Sequence, residues 1–254
     1  MWNYGEEDQL IIKKGLEKIF LRLVGSGLLD SQQKEAILSR IQFAKEMIGL
    51  EKPELIIEAL PEELEPKKKL LADVSLVVKE DALLATTTSC YLVAEIAQAA
   101  KNPQRVLGMH FIPPFETNKL VEIVRTEKAS EQYVNLANEF CGKIGKETVT
   151  VKDSPGFIVN YLFVPYINQA LNYYDCKLAD RETLDTVIQM GLGYPKGPLA
   201  LIDELGLDSH LKICIELYER LKDPRFAPPP ILMRMVAEGK LGRKSGRGFY
   251  SYEE

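Results

Sequence analysis

Only two histidines occur among the 254 residues, so each can be followed individually. His110 closes the apolar run Val-Leu-Gly-Met and is followed by Phe-Ile-Pro-Pro, which places it at the carboxyl end of a strand. In open α/β sheets that edge is where ligands bind. Glu122 lies twelve residues on, inside the next apolar run, Lys-Leu-Val-Glu-Ile-Val. A lone carboxylate in a buried strand is costly unless something pairs with it, and a neighbouring strand's histidine is a natural partner. Such a pair orients the imidazole and stabilises its protonated form, as a general base at neutral pH requires. The competing reading is a histidine that only satisfies a buried hydrogen bond. His210 opens an amphipathic helix after Asp208 and Ser209 and reads as a surface residue without chemistry.

Two further segments carry polar groups in apolar surroundings. The run Thr86-Thr87-Thr88-Ser89-Cys90 ends a strand with hydroxyls at the edge expected for His110. Capping of the following helix by Ser89 or a threonine is its structural use. The string Asp-Ser-Pro-Gly-Phe-Ile-Val-Asn, residues 153–160, puts Asn160 one turn into an otherwise apolar helix. A buried amide there must find partners, in the protein or in a substrate. The basic clusters Lys67-Lys68-Lys69 and Arg243, Lys244, Arg247 read as solvated faces, the alternative being a hold on a phosphorylated small molecule. Cys90, Cys141, Cys176 and Cys214 have neither a C-x-x-C spacing nor a companion histidine, which excludes a metal centre and a disulfide scaffold. The last three read as small core residues in helices, with reduced thiols and a cytoplasmic setting.

The elements that must position these groups follow from periodicity. Apolar residues at three and four spacing from 9 to 43 predict helices, interrupted at Gly25-Ser-Gly27 and restarted near Ser31. Strands are expected at 54–60, 82–87, 106–111, 120–124 and 147–151, with helices at 67–73, 91–100 and 129–144 between them. That alternation implies βα units and a largely parallel sheet. After Asp153 only helices are expected: 157–174, 181–190, 198–205, 208–221 and 231–238. The division predicts an α/β domain over 1–153 and an all-α domain over 154–254. Hydrophobic residues make up 46% and charged residues 27%, the proportions of a globular chain. A formal net charge of -5 argues against a nucleic-acid partner. The sequence has neither a membrane-length apolar run nor a signal layout, and reads as a soluble protein.

Taken together these strings resemble the 3-hydroxyacyl-CoA dehydrogenase family. The resemblance rests on LIIEALPEELEPKKKL, the TTTSC turn, RVLGMHF followed by KLVEIV, DSPGFIVN, GLGYPKGPLALIDELGLD and LGRKSGRGFYSY, and it runs from about Leu10 to Tyr252. It implies an NAD-binding Rossmann domain followed by a helical domain that dimerises. It also implies His110 as the base for the substrate's 3-hydroxyl, Glu122 as the carboxylate that orients and charges it, and Ser89 and Asn160 as groups that bind substrate oxygens. Glu62, Lys67 and Thr87 fall on the cofactor side of the cleft. The implied partners are NAD, an acyl-CoA substrate and a second copy of the chain, the last through helices after Pro155 that carry Phe157, Phe163, Tyr166, Leu171 and Tyr173.

Several positions depart from the family pattern. A full member opens with a strand, a G-x-G-x-x-G turn, a helix and a second strand. This sequence starts at the helix after them, and Gly25-Ser-Gly27 is followed by Asp30 rather than a third glycine. The Rossmann-like domain is therefore expected to be incomplete, with residues 55–60 as an unpaired edge or paired elsewhere. A shortened sequence, a split enzyme and a remodelled domain that no longer uses NAD all fit that opening. The usual H-F-x-N-P string reads His110-Phe-Ile-Pro113-Pro114, N-T-S-S reads Thr87-Thr-Ser89-Cys90, and the arginine after the helical Asn is Tyr161. Two other functions stay open: a non-catalytic acyl-CoA-binding or assembly protein, and a dehydrogenase for a 3-hydroxy acid without CoA.

Overall fold

The computed structural model describes residues 6–43, 52–115 and 117–252. The chain opens with two helices, α1 (Glu6–Gly25) and α2 (Ser31–Leu38), joined through Gly27 in the left-handed conformation. Asp30 caps α2 and exchanges hydrogen bonds with Gln33, which explains the restart near Ser31.

Five strands follow: β1 (Leu55–Glu58), β2 (Leu83–Thr86), β3 (Val106–Phe111), β4 (Leu120–Arg125) and β5 (Glu147–Lys152). They lie side by side in chain order. β1, β2 and β3 are parallel, β4 runs antiparallel to β3, and β5 is parallel to β4. Helices α3 (Leu64–Val77) and α4 (Val93–Ala97) join the parallel strands, and α5 (Glu131–Lys143) joins β4 to β5. Alternation along each strand feeds two separate layers. Leu84, Val106 and Val124 face α3 and α4, whereas Leu83, Ala85, Leu107, Met109 and Ile123 face α5. Gly108 is required by this close packing, since a Cβ there would lie 2.8 Å from both Val124 and Val93.

After Lys152 the remaining regular elements are helical: α6 (Val159–Asp175), α7 (Arg181–Leu192), α8 (Pro198–Leu205), α9 (Leu207–Leu221) and α10 (Pro230–Ala237). They enclose a core of Val164, Ile167, Leu171, Leu199, Ile202, Leu217, Phe226 and Leu232. The glycine-rich tail folds back onto the buried carboxylate of Asp203, which accepts from the Phe249 and Tyr250 amides and the Tyr252 hydroxyl. Gly248 makes that approach possible, because a Cβ there would sit 1.9 Å from Asp203 Oδ1.

The architecture is the expected one, a Rossmann-like α/β layer followed by helices, and β1 is the outer strand among the described residues. Several local expectations are corrected. α4 covers only five residues of the predicted 91–100 stretch, and α3 starts three residues before Lys67. His210 is buried rather than on the surface. Its Nε2 lies 3.0 Å from Asn168 Oδ1. Because Asn168 Nδ2 already donates to the Arg225 and Ala227 carbonyls, Oδ1 must accept, so His210 carries its proton on Nε2. Burial lowers its pKa to about 3 and keeps it neutral. Cys176 is exposed, since it falls at the C-cap of α6 and not on its buried face. Phe157 and Leu171, expected on a dimerising face, lie in the monomer's own cores.

Candidate active site

The carboxyl ends of β1, β2 and β3 share one edge of the sheet, and the polar groups gather there. His110 pairs in register with Glu122 across the antiparallel β3–β4 ladder. Directly opposed residues of such a pair hold their side chains close together on one face. His110 Nδ1 accordingly stands 2.8 Å from Glu122 Oε2. Both side chains are almost wholly buried. The other oxygen, Glu122 Oε1, accepts from the backbone amides of Ile158 at 3.0 Å and Val159 at 3.1 Å. One carboxylate therefore holds the imidazole and the first turn of α6 at once. With two donors on Oε1, the proton shared with His110 belongs on Nδ1, and Nε2 is left with a free lone pair. Phe157 packs edge-on against the imidazole, its centroid 5.3 Å away, and adopts a left-handed backbone with φ of 51°.

A second buried cluster organises the turn after β2. Lys67 is completely buried, so it is not part of a solvated basic face. Its ammonium lies 3.0 Å from Glu58 Oε1, 3.0 Å from the Leu60 carbonyl and 3.3 Å from Glu62 Oε2. Glu58 also accepts from the Thr86 hydroxyl at 2.6 Å. Glu62 Oε1 accepts from the Thr88 hydroxyl at 2.6 Å, the Ser89 amide at 2.8 Å and the Cys90 amide at 3.0 Å. Thr88 Oγ1 in turn accepts from the Tyr91 amide. Lys67 thus pairs with two carboxylates, and one of them grips the turn that carries Ser89. On the opposite side Asn160 Nδ2 donates to the Ser89 carbonyl at 3.2 Å.

The hydroxyls of Thr87 and Ser89 make no hydrogen bond to the described residues, and both side chains are half-exposed at this edge. Neither caps α4. The carboxylate of Asp153 does so instead, accepting from the Val93 and Ala94 amides. The structure therefore brings His110, Glu122, Ser89, Asn160 and Thr87 to one edge, with Glu62 and Lys67 directly behind the Ser89 turn. Glu58, Thr88 and Asp153 belong to the same assembly and were not singled out from the sequence. Glu58 carries the signal that exposed Glu122, a carboxylate closing an apolar strand. Asp153 stands inside the motif that yielded Asn160, but its partners are 60 and 59 residues away.

Residues 5–154 match the model of the 3-hydroxyacyl-CoA dehydrogenase NAD binding domain, and residues 156–252 match that of the 3-hydroxyacyl-CoA dehydrogenase C-terminal domain. The chain belongs to the 3-hydroxyacyl-CoA dehydrogenase family. A relative from Mycobacterium tuberculosis named 3-hydroxybutyryl-CoA dehydrogenase is 39% identical over 243 residues, 95% of this chain and 84% of that protein. One from Bacillus subtilis, named probable 3-hydroxybutyryl-CoA dehydrogenase, is 36% identical over 241 residues, again 95% of this chain and 84% of the relative. The crystal structure of FadB2 from Mycobacterium tuberculosis superposes with a TM-score of 0.95 at 37% identity, covering 99% of this chain and 89% of that one. That of the (S)-3-hydroxybutyryl-CoA dehydrogenase PaaH1 from Ralstonia eutropha gives 0.85 at 34% identity, covering 95% and 87%. As a 3-hydroxyacyl-CoA dehydrogenase family member the chain is an NAD-linked oxidoreductase by kind. No helix among the described residues is long and apolar enough to cross a membrane.

Proposed function

We propose that the chain interconverts a short 3-hydroxyacyl-CoA and its 3-oxo counterpart, with His110 as general base. The observation that carries this reading is the His110–Glu122 pair at 2.8 Å, with Glu122's second oxygen committed to two backbone amides. That geometry fixes the imidazole with its acceptor nitrogen free, where it can take the proton of a 3-hydroxyl. Glu122 then faces the imidazolium that forms and stabilises it without being protonated itself. In the reverse direction His110 returns the proton to the carbonyl oxygen. Ser89 Oγ donates to a substrate oxygen, and Asn160 places a second polar group beside it. The preference for a four-carbon acyl group follows from the names of the relatives.

The residues present fit the nicotinamide end of a dinucleotide. The carboxyl ends of three parallel strands open on one edge, and Thr87 stands there next to Thr88, whose hydroxyl donates to Glu62. Thr87 and Glu62 line that side, and Lys67 serves it through Glu62. NAD supplies the two-electron acceptor when bound.

Residues 1–153 form the nucleotide-binding unit in this reading and 154–254 the substrate and dimerisation unit. A homodimer would use exposed side chains of the helical part, Tyr173, Val187, Met190, Leu192 and Tyr194. The setting is the cytoplasm. Spectrophotometric turnover of acetoacetyl-CoA with NADH tests the function, and a monomeric mass by light scattering would remove the dimer. Turnover of free acetoacetate but not of acetoacetyl-CoA would overturn the CoA assignment. Acyl-CoA binding with no turnover at all would overturn the enzyme reading in favour of a binding protein.

A further inference from the structure

Within eight residues the segment 153–160 touches His110, Glu122, the Ser89 turn and the start of α4. Asp153 holds the amides of Val93 at 2.9 Å and Ala94 at 2.8 Å. Phe157 packs on the His110 ring, the amides of Ile158 and Val159 bind Glu122, and Asn160 binds the Ser89 carbonyl. The turn from Thr88 to Ala94 is thus held at both ends. Glu62 grips its front through the Thr88 hydroxyl and the Ser89 and Cys90 amides, and Asp153 grips its back. The residue at the start of α4, Leu92, has no side chain able to cap it, so those two amides depend on a carboxylate from another part of the chain.

We propose that Asp153 is a positioning residue for the reaction, setting the Ser89 turn against Asn160 and His110, a role that rests on the functional reading above. A side-chain cap at Leu92 could take over the Ala94 amide, though not that of Val93. What only Asp153 does is tie them to the segment that carries Phe157 and Asn160. The Asp153 carboxylate is aspartate-specific in this geometry, because both of its oxygens accept. In D153N one of the two positions becomes an NH2 facing an N–H. Misplacement of a reacting group by about 1 Å is enough to cost about 10²-fold in rate.

The test separates capping from tying. D153A is compared with L92S, which introduces a hydroxyl at the N-cap of α4, and with the double variant L92S/D153A. The expected result is a wild-type kcat for L92S and a loss of about 10–10² in kcat for D153A. The double variant should recover part of the melting temperature but none of the lost kcat. Recovery of kcat along with melting temperature would overturn the proposal and leave Asp153 as a helix cap only. The ring Cε1–H resonances of the chain's two histidines give a readout that does not require turnover. D153A should move the His110 signal in both backgrounds while His210 stays in place, and an unmoved His110 signal would overturn the positioning role. Should the wild-type chain fail to turn over acetoacetyl-CoA, the functional reading falls, and the resonance comparison still decides the role of Asp153.

Discussion

Replacing Glu122 with glutamine probes how one carboxylate serves two tasks. In the wild-type protein Oε1 accepts from two backbone amides while Oε2 faces His110 Nδ1. An amide keeps the shape but has one acceptor and one NH2 group. If its oxygen stays on the Ile158 and Val159 amides, the NH2 faces Nδ1 and draws the imidazole into the tautomer with its proton on Nε2. The base nitrogen is then occupied. If the amide turns over, the NH2 opposes two N–H donors at the start of α6, and a buried donor pair is left unsatisfied at a cost of about 1–3 kcal/mol. The first arrangement leaves α6 intact and is the cheaper one. E122Q should therefore remain folded, lose at most about 2 kcal/mol of stability, and lose about 10³–10⁴ in kcat. The same tautomer fault costs about 10⁴ in a serine-protease triad. The assay is acetoacetyl-CoA reduction by NADH alongside chemical denaturation. A folded E122Q that keeps most of its kcat would refute the reasoning.

Three other substitutions test separate parts of the structure. E62Q keeps an acceptor for the Thr88, Ser89 and Cys90 donors but turns an NH2 toward the Lys67 ammonium 3.3 Å away, so kcat/KM should fall about 10–10²-fold, and an unchanged value would contradict the organising role. H210Q addresses stability against pH: His210 titrates near 3 in the folded chain and at about 6.5 unfolded, so the unfolded state binds more protons between those values. Stability is full above about pH 6.5 and is lost as pH falls, by at most about 5 kcal/mol. The melting temperature of the wild type should drop steeply from about pH 6 to 4, and that of H210Q should drop less. D203N leaves one of the Phe249, Tyr250 and Tyr252 donors facing an NH2, so it should lose about 1–3 kcal/mol of stability with kcat unaltered in the folded fraction.

The base pair and the sheet were legible for a common reason. Glu122 is a charged residue in an apolar strand, and strand periodicity alone puts it within one ladder step of a histidine on the neighbouring strand. Positions read as exposed from local pattern were harder. His210 begins an amphipathic helix, but its place on the buried face depends on Asn168, 42 residues earlier. Lys67 sits in a run of three lysines that reads as solvated, yet Glu58 at the end of β1 and Glu62 in the β1–α3 connection draw it inside. The short α4 follows from the same limit. Its first amides are capped from Asp153, and no residue near Val93 signals where the helix begins. Pro113 and Tyr161 were visible as departures from the family strings. Tyr161 is met by Arg225, whose guanidinium donates to the Tyr161 hydroxyl at 3.3 Å, a contact that no local pattern contains.

The central claim is that His110, held by Glu122, moves the proton. The most direct measurement is kcat for acetoacetyl-CoA reduction in H110N against wild type, with NADH affinity measured on both by fluorescence. The account predicts a loss of about 10²–10⁴ in kcat with NADH affinity unchanged. Equal turnover in the two folded proteins would contradict it.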